Sequence, residues 1–141
     1  MENNRPLGWT TLDEAKRLVE AGLDPNTADM YYHYDTVEIE GAVKYISGPE
    51  LATSPYSEGV KTAHMLYTSP MLDDLNKVCP CWSLGALKNV VEEYFGNDLS
   101  YQNGKWNIVV LDEFSGHKFF EFEEIVELIK FCLENSYIKK T

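Results

Sequence analysis

Apolar positions first fall into a clear period at residues 12–21. Thr11-Leu12-Asp13-Glu14 reads as a capping box, in which the Thr11 hydroxyl accepts from the Glu14 amide and the Glu14 carboxylate accepts from the Thr11 amide. Leu12, Ala15, Leu18 and Val19 then share one helical face. Gly22 is a natural C-terminal cap, and Pro25 prevents continuation. A helix over about 12–21 is predicted, followed by a turn at Asp24-Pro25-Asn26. The period changes at residues 30–46, rich in Tyr, Val and Ile and broken at Asp35-Thr36 and Gly41. Val37 and Ile39 alternate with Glu38 and Glu40, the pattern of a half-buried strand. Residues 47–59 hold Pro49, Pro55 and two glycines and read as loop. Residues 60–67 fit a strand or a short helix equally well. Ser69-Pro70 places a cap before a proline, so a short helix is expected through Asp73-Asp74-Leu75.

A second helix is predicted after Pro80-Cys81-Trp82-Ser83. Ser83 is its N-cap, Leu84, Leu87, Val90, Val91 and Tyr94 form its stripe, and Gly96-Asn97 ends it. Asn103-Gly104 supplies the two positive φ angles of a type I′ turn, so residues 99–102 and 105–111 read as a hairpin. Ser115-Gly116 turns into a third strand over 117–122. Residues 123–135 form an amphipathic helix with Ile125, Leu128, Ile129, Cys132 and Leu133 on one face. This helix is expected to pack across the meander, because one face of a small sheet must be covered. Phe131 falls beside the stripe, at its margin or in an oligomer contact. The result is a single α+β domain over residues 1–141, an antiparallel β-meander packed against about three helices.

Length and composition agree with that architecture. The chain has 141 residues, 44% hydrophobic and 25% charged, the balance of a folded globular domain. No run approaches the roughly 18 apolar residues of a membrane span. The net charge is −11, and acidic residues outnumber basic ones by 11 to 5 over residues 1–70 and by 12 to 7 over residues 71–141. There is neither a basic arm nor an acidic tail. Phosphate backbones are repelled by such a field, so direct nucleic-acid binding is not expected. The three cysteines, Cys79, Cys81 and Cys132, are an odd set that does not read as a disulfide framework. The opening residues carry no apolar core behind a basic region, so no secretory signal is read there and a reducing cytoplasm is expected.

Four segments carry a resemblance. They are Thr11-Leu12-Asp13-Glu14-Ala15-Lys16 through Gly22-Leu23, Thr27-Ala28-Asp29-Met30, and Trp82-Ser83-Leu84-Gly85-Ala86-Leu87, with a closing Leu133-Glu134-Asn135-Ser136-Tyr137-Ile138. Together they resemble a group of small proteins of Bacteroides-type gut bacteria, many carried on prophages and mobile elements. No activity or catalytic residue is established in that group. The resemblance implies a bacterial, cytoplasmic, phage or mobile-element origin and carries over no site.

The residues with chemistry to offer are scattered. Cys79-Pro80-Cys81 is too tightly spaced for a usual zinc knuckle or redox dithiol, and the histidines His33, His64 and His117 are isolated. The cysteines read as small buried apolar groups. Ser83 lacks a nucleophile elbow and is committed to capping, with Trp82 before it as a hydrophobic staple. Tyr31-Tyr32-His33-Tyr34, Trp9, Tyr101 and Trp106 are aromatic without a basic stripe, which points to packing or a protein contact rather than base stacking. Asp73-Asp74, Glu92-Glu93, Asp112-Glu113 and Glu123-Glu124 are adjacent carboxylates that do not share a helical face. No catalytic, cofactor-binding or metal-ligating set is predicted, and no cofactor. The expected function is a small non-enzymatic protein-interaction module, with an unidentified protein or a second copy as partner and neither nucleic acid nor membrane. Two alternatives stay open: an acidic DNA mimic that inhibits a nucleic-acid-handling enzyme, and a small hydrolase or ligand-binding protein with an unrecognised site.

Overall fold

In the computed structural model, residues 8–66, 78–112, 114 and 116–141 are described. The first helix, α1 (Leu12–Ala21), begins as its sequence dictates. The Glu14 amide donates to Thr11 Oγ1 at 3.2 Å and the Thr11 amide to Glu14 Oε1 at 2.9 Å. Gly22, at φ 107°, ends it in the left-handed region, and a Cβ there would stand 2.8 Å from the Lys140 side chain. A 3-10 turn, Pro25–Thr27, leads into β1 (Met30–Ile39) and β2 (Ala42–Ala52). These two strands form a hairpin closed by Glu40-Gly41, both at positive φ. Its register shifts beside Asp35, where the sequence pattern breaks.

The segment expected to be loop, residues 47–59, is mostly ordered structure. Strand β2 runs on through Pro49 to Ala52, and helix α2 (Tyr56–Leu66) starts directly after Pro55. Proline is tolerated in β2 because that strand is the edge of a sheet ordered β2-β1-β3, where a missing N–H breaks no ladder. The same reason admits Pro80 into β3 (Val78–Cys81), a strand absent from the sequence reading. Residues 60–66, open between strand and helix, are helix. Gly59 lies within α2 because the helix crosses close over β1: a Cβ there would stand 2.9 Å from the Tyr31 ring. The short helix expected around residues 69–75 lies outside the described residues.

The second half follows the expected order. Helix α3 (Leu84–Phe95) leads through a 3-10 turn, Gly96–Asp98, to β4 (Leu99–Gln102), β5 (Lys105–Asp112), β6 (Gly116–Phe122) and α4 (Ile125–Glu134). Strands β4, β5 and β6 form an antiparallel meander. Asn103 and Gly104 sit at φ 56° and 75°, as a type I′ turn requires. The chain is therefore α+β, with four helices among the described residues rather than about three, and a second three-stranded sheet beside the meander.

Helix α4 sits at the centre, touching α1 on one side, α3 on another and β6 on a third. Its residues Ile125, Leu128, Ile129, Cys132 and Leu133 are fully buried in the cluster that also holds Leu18, Trp82, Leu87 and Ile108. Phe131 adds aromatic packing on the meander, with ring centroids 4.8 Å from Phe120 and 5.2 Å from Phe122. The inner face of the meander is covered in this way. No helix among the described residues is long and apolar enough to cross a membrane.

Candidate functional site

The segment with the most concentrated chemistry, residues 79–83, is a structural junction. Thr10, fully buried, holds it from the opposite side of the chain. The Thr10 amide donates to the Trp82 carbonyl at 2.9 Å. The Trp82 amide donates to Thr10 Oγ1 at 3.1 Å, and the Tyr32 hydroxyl to the Thr10 carbonyl at 2.8 Å. Trp82 is completely buried, and its indole N–H donates to Thr27 Oγ1 at 2.9 Å. Burial, reinforced by the neighbouring Cys81 thiol, pushes the Tyr32 hydroxyl up to about 12.

Ser83 caps α3 as expected, its hydroxyl accepting from the Ala86 amide at 3.1 Å. The structure adds Asp29, whose carboxylate accepts from both the amide and the hydroxyl of Ser83. The pairing spans 54 residues, so no local pattern announces it. Beside it lies a cleft of about 460 Å³ lined by Thr27, Asp29, Ser83, Asn89 and Glu93, among others. Its polar groups do not form a nucleophile and base: the Ser83 hydroxyl hydrogen goes to a carboxylate that is itself anchoring the helix start. Replacing Ser83 by Ala should destabilise the fold by about 1 kcal/mol, a typical cap loss. A denaturant melt showing no change would mean that Asp29 alone supports the helix start.

The three cysteines are free thiols and buried. Desolvation pushes Cys79 up to about 11 and Cys132 up to about 12, and raises Cys81 as well. The thiols therefore stay protonated and unreactive at neutral pH. Ellman's reagent should label none in the native chain and all three in denaturant. Because the folded-state values lie above the ordinary 9.0, the stability linked to neutral thiols is complete below about pH 9 and is lost as pH rises through the folded values. Denaturant midpoints measured from neutral to strongly alkaline pH should fall only over that upper range.

The remaining sequence candidates do not converge. His33 lies on β1 with its ring centroid 5.7 Å from that of Tyr31, and His117 lies on β6 in the other sheet. No group of three metal-binding side chains occurs among the described residues. Glu92 and Glu93 are exposed on α3, and Glu92 faces Lys88 at 3.6 Å. Tyr101 packs on Trp106 at a centroid distance of 4.8 Å, on the buried side of the meander.

The outer face of the meander is different. The register sets Val109 opposite Phe119, Leu111 opposite His117, and Asn107 opposite Glu121. Phe119 is 60% exposed and Leu111 73%, while Phe114 in the connecting turn is 98% exposed. These three, with Tyr94, are the exposed large apolar side chains among the described residues. Next to Phe119 is a shallow concavity of about 500 Å³ lined by Ser100, Gln102, Asn103, Lys105, Asn107 and Glu121. Lys105 and Glu121 form an ion pair at 3.7 Å across it. No family model, curated protein or solved structure matches the chain.

Proposed function

We propose that this chain is a small cytoplasmic protein-interaction module of phage or mobile-element origin in a bacterial host, and that its binding surface is the outer face of β4, β5 and β6. The observation that carries this reading is the placement of Leu111, Phe114 and Phe119 together on one hairpin. Single exposed apolar residues are ordinary, but a grouped set marks contact surfaces. Covering a leucine or phenylalanine contributes roughly 1.5–3 kcal/mol. The polar rim of Gln102, Lys105 and Glu121 supplies hydrogen-bonding groups around that apolar centre, the usual anatomy of an interface. The cleft beside Ser83 supports a ligand-binding reading less well, because its serine and aspartate are engaged with each other and with the start of α3.

The test is capture from a lysate of a Bacteroides-type bacterium. It compares the parent chain with a Leu111→Ser/Phe119→Glu variant, both identified by mass spectrometry. Proteins held by the parent and lost with the variant are the expected result. Identical capture by the two, with a parent chain that also does not self-associate, would overturn the reading.

A further inference from the structure

The edge strand of this same surface fits one kind of partner best: we infer that β6 pairs antiparallel with β6 of a second copy of the chain, about a two-fold axis at Phe119. The inference rests on the reading of the outer face as an interaction surface and names its partner. Unpaired strand edges are templates for another strand unless they are blocked. The chain has four edge strands among the described residues, and the other three are interrupted by proline, covered or short. β2 contains Pro49, β3 contains Pro80 and is buried throughout, and β4 has only four residues and lies against α3. β6 has seven residues and no proline, and β5 is its one strand neighbour among the described residues.

The side chains of β6 make it self-complementary, which a two-fold contact requires. Antiparallel pairing centred on Phe119 sets Phe119 against its own copy. It also sets His117 of each chain against Glu121 of the other. All of these lie on the outer face, in the positions that the register with β5 assigns them. Residues directly opposite in such a pair lie about 4.5–5.5 Å apart, so an imidazole N–H can donate to the carboxylate and the two rings can touch. Lys118, on the other face, meets Phe120 of the second copy, whose ring its aliphatic stem can cover. Shifted pairings are worse: one centred on Lys118 opposes two lysines, and one centred on Phe120 sets Phe119 against Glu121.

Charge also selects the second copy. At −11 the chain repels itself over most of its surface, so self-contact must fall where acid and base are matched. β6 carries one Lys, one His and one Glu, and Lys105 already stands beside that Glu. A strongly basic partner would instead be drawn to the acidic faces. Seven residues a side make a small interface, so a weak dimer with a dissociation constant on the order of tens of micromolar is expected.

Sedimentation across a concentration series tests the inference, using the parent, Phe119→Glu, His117→Glu and the double variant His117→Glu/Glu121→His. These positions are exposed, and a thermal melt of each variant checks that the fold is retained. The parent should pass from 16.1 kDa toward twice that mass. Phe119→Glu and His117→Glu should each weaken the dimer about tenfold or more, the latter because like charges then oppose. The double variant should recover most of the loss, since the swapped pair still matches across the axis. A parent that stays monomeric at every concentration overturns the inference, as does a double variant no tighter than His117→Glu. If the parent is monomeric and its capture of another protein is sensitive to the face variant, only the second-copy inference falls. If capture is also insensitive, the interaction surface falls with it.

Discussion

Trp82→Ala should destabilise the fold by about 3–5 kcal/mol, the range for deleting a buried aromatic side chain. Trp82 is wholly buried in the cluster shared by α1, α3 and α4. Truncation leaves a cavity where neighbouring side chains come from separate elements and cannot collapse together. It also removes the donor to Thr27 Oγ1, which ties the turn before β1 to the start of α3. Trp82→Phe keeps most of the volume and loses that hydrogen bond, so its cost should be distinctly smaller. Against a typical total stability of about 5–15 kcal/mol, the alanine variant should be close to unfolding at body temperature. A denaturant melt showing a loss below about 1 kcal/mol would mean that the junction of Thr10, Tyr32 and Trp82 does not organise the core.

Leu128→Ala should cost about 2–5 kcal/mol. Leu128 has no exposed surface, and its helix touches α1, α3 and β6. A cavity there loosens three contacts at once. The loss should appear as a shifted unfolding midpoint with an unchanged slope, because the surface exposed on unfolding is the same. A loss below about 0.5 kcal/mol, the range of surface substitutions, would make α4 peripheral.

What could be read from the sequence was local. The Thr11-Glu14 box, the Ser83 cap, the Asn103-Gly104 turn and the stripe of α4 each depend on residues within one or two turns of each other, and each forms as expected. What escaped depended on distant partners. Pro49 falls in a stretch that reads as loop and Pro80 in the lead to the second helix, because their edge-strand positions are set by the whole sheet. Gly59 looked like a loop residue because the Tyr31 ring that requires it is far away in sequence. Phe131 falls beside the stripe in the sequence pattern, yet its ring packs on Phe120 and Phe122 of β6. The same limit hid the candidate surface. Phe119 and Leu111 read as strand residues, and only the register with β5 and the position of α4 show that both lie on the uncovered side.

Amide hydrogen exchange across residues 105–122 tests the interaction surface most directly, comparing the dilute chain alone with the complex recovered by capture or at high concentration of the chain. Slowed exchange in β6, with α1 and the start of α3 unchanged, is the predicted result. Slowing confined to the Asp29, Ser83 and Glu93 cleft, with β6 exchanging as in the free chain, would contradict it.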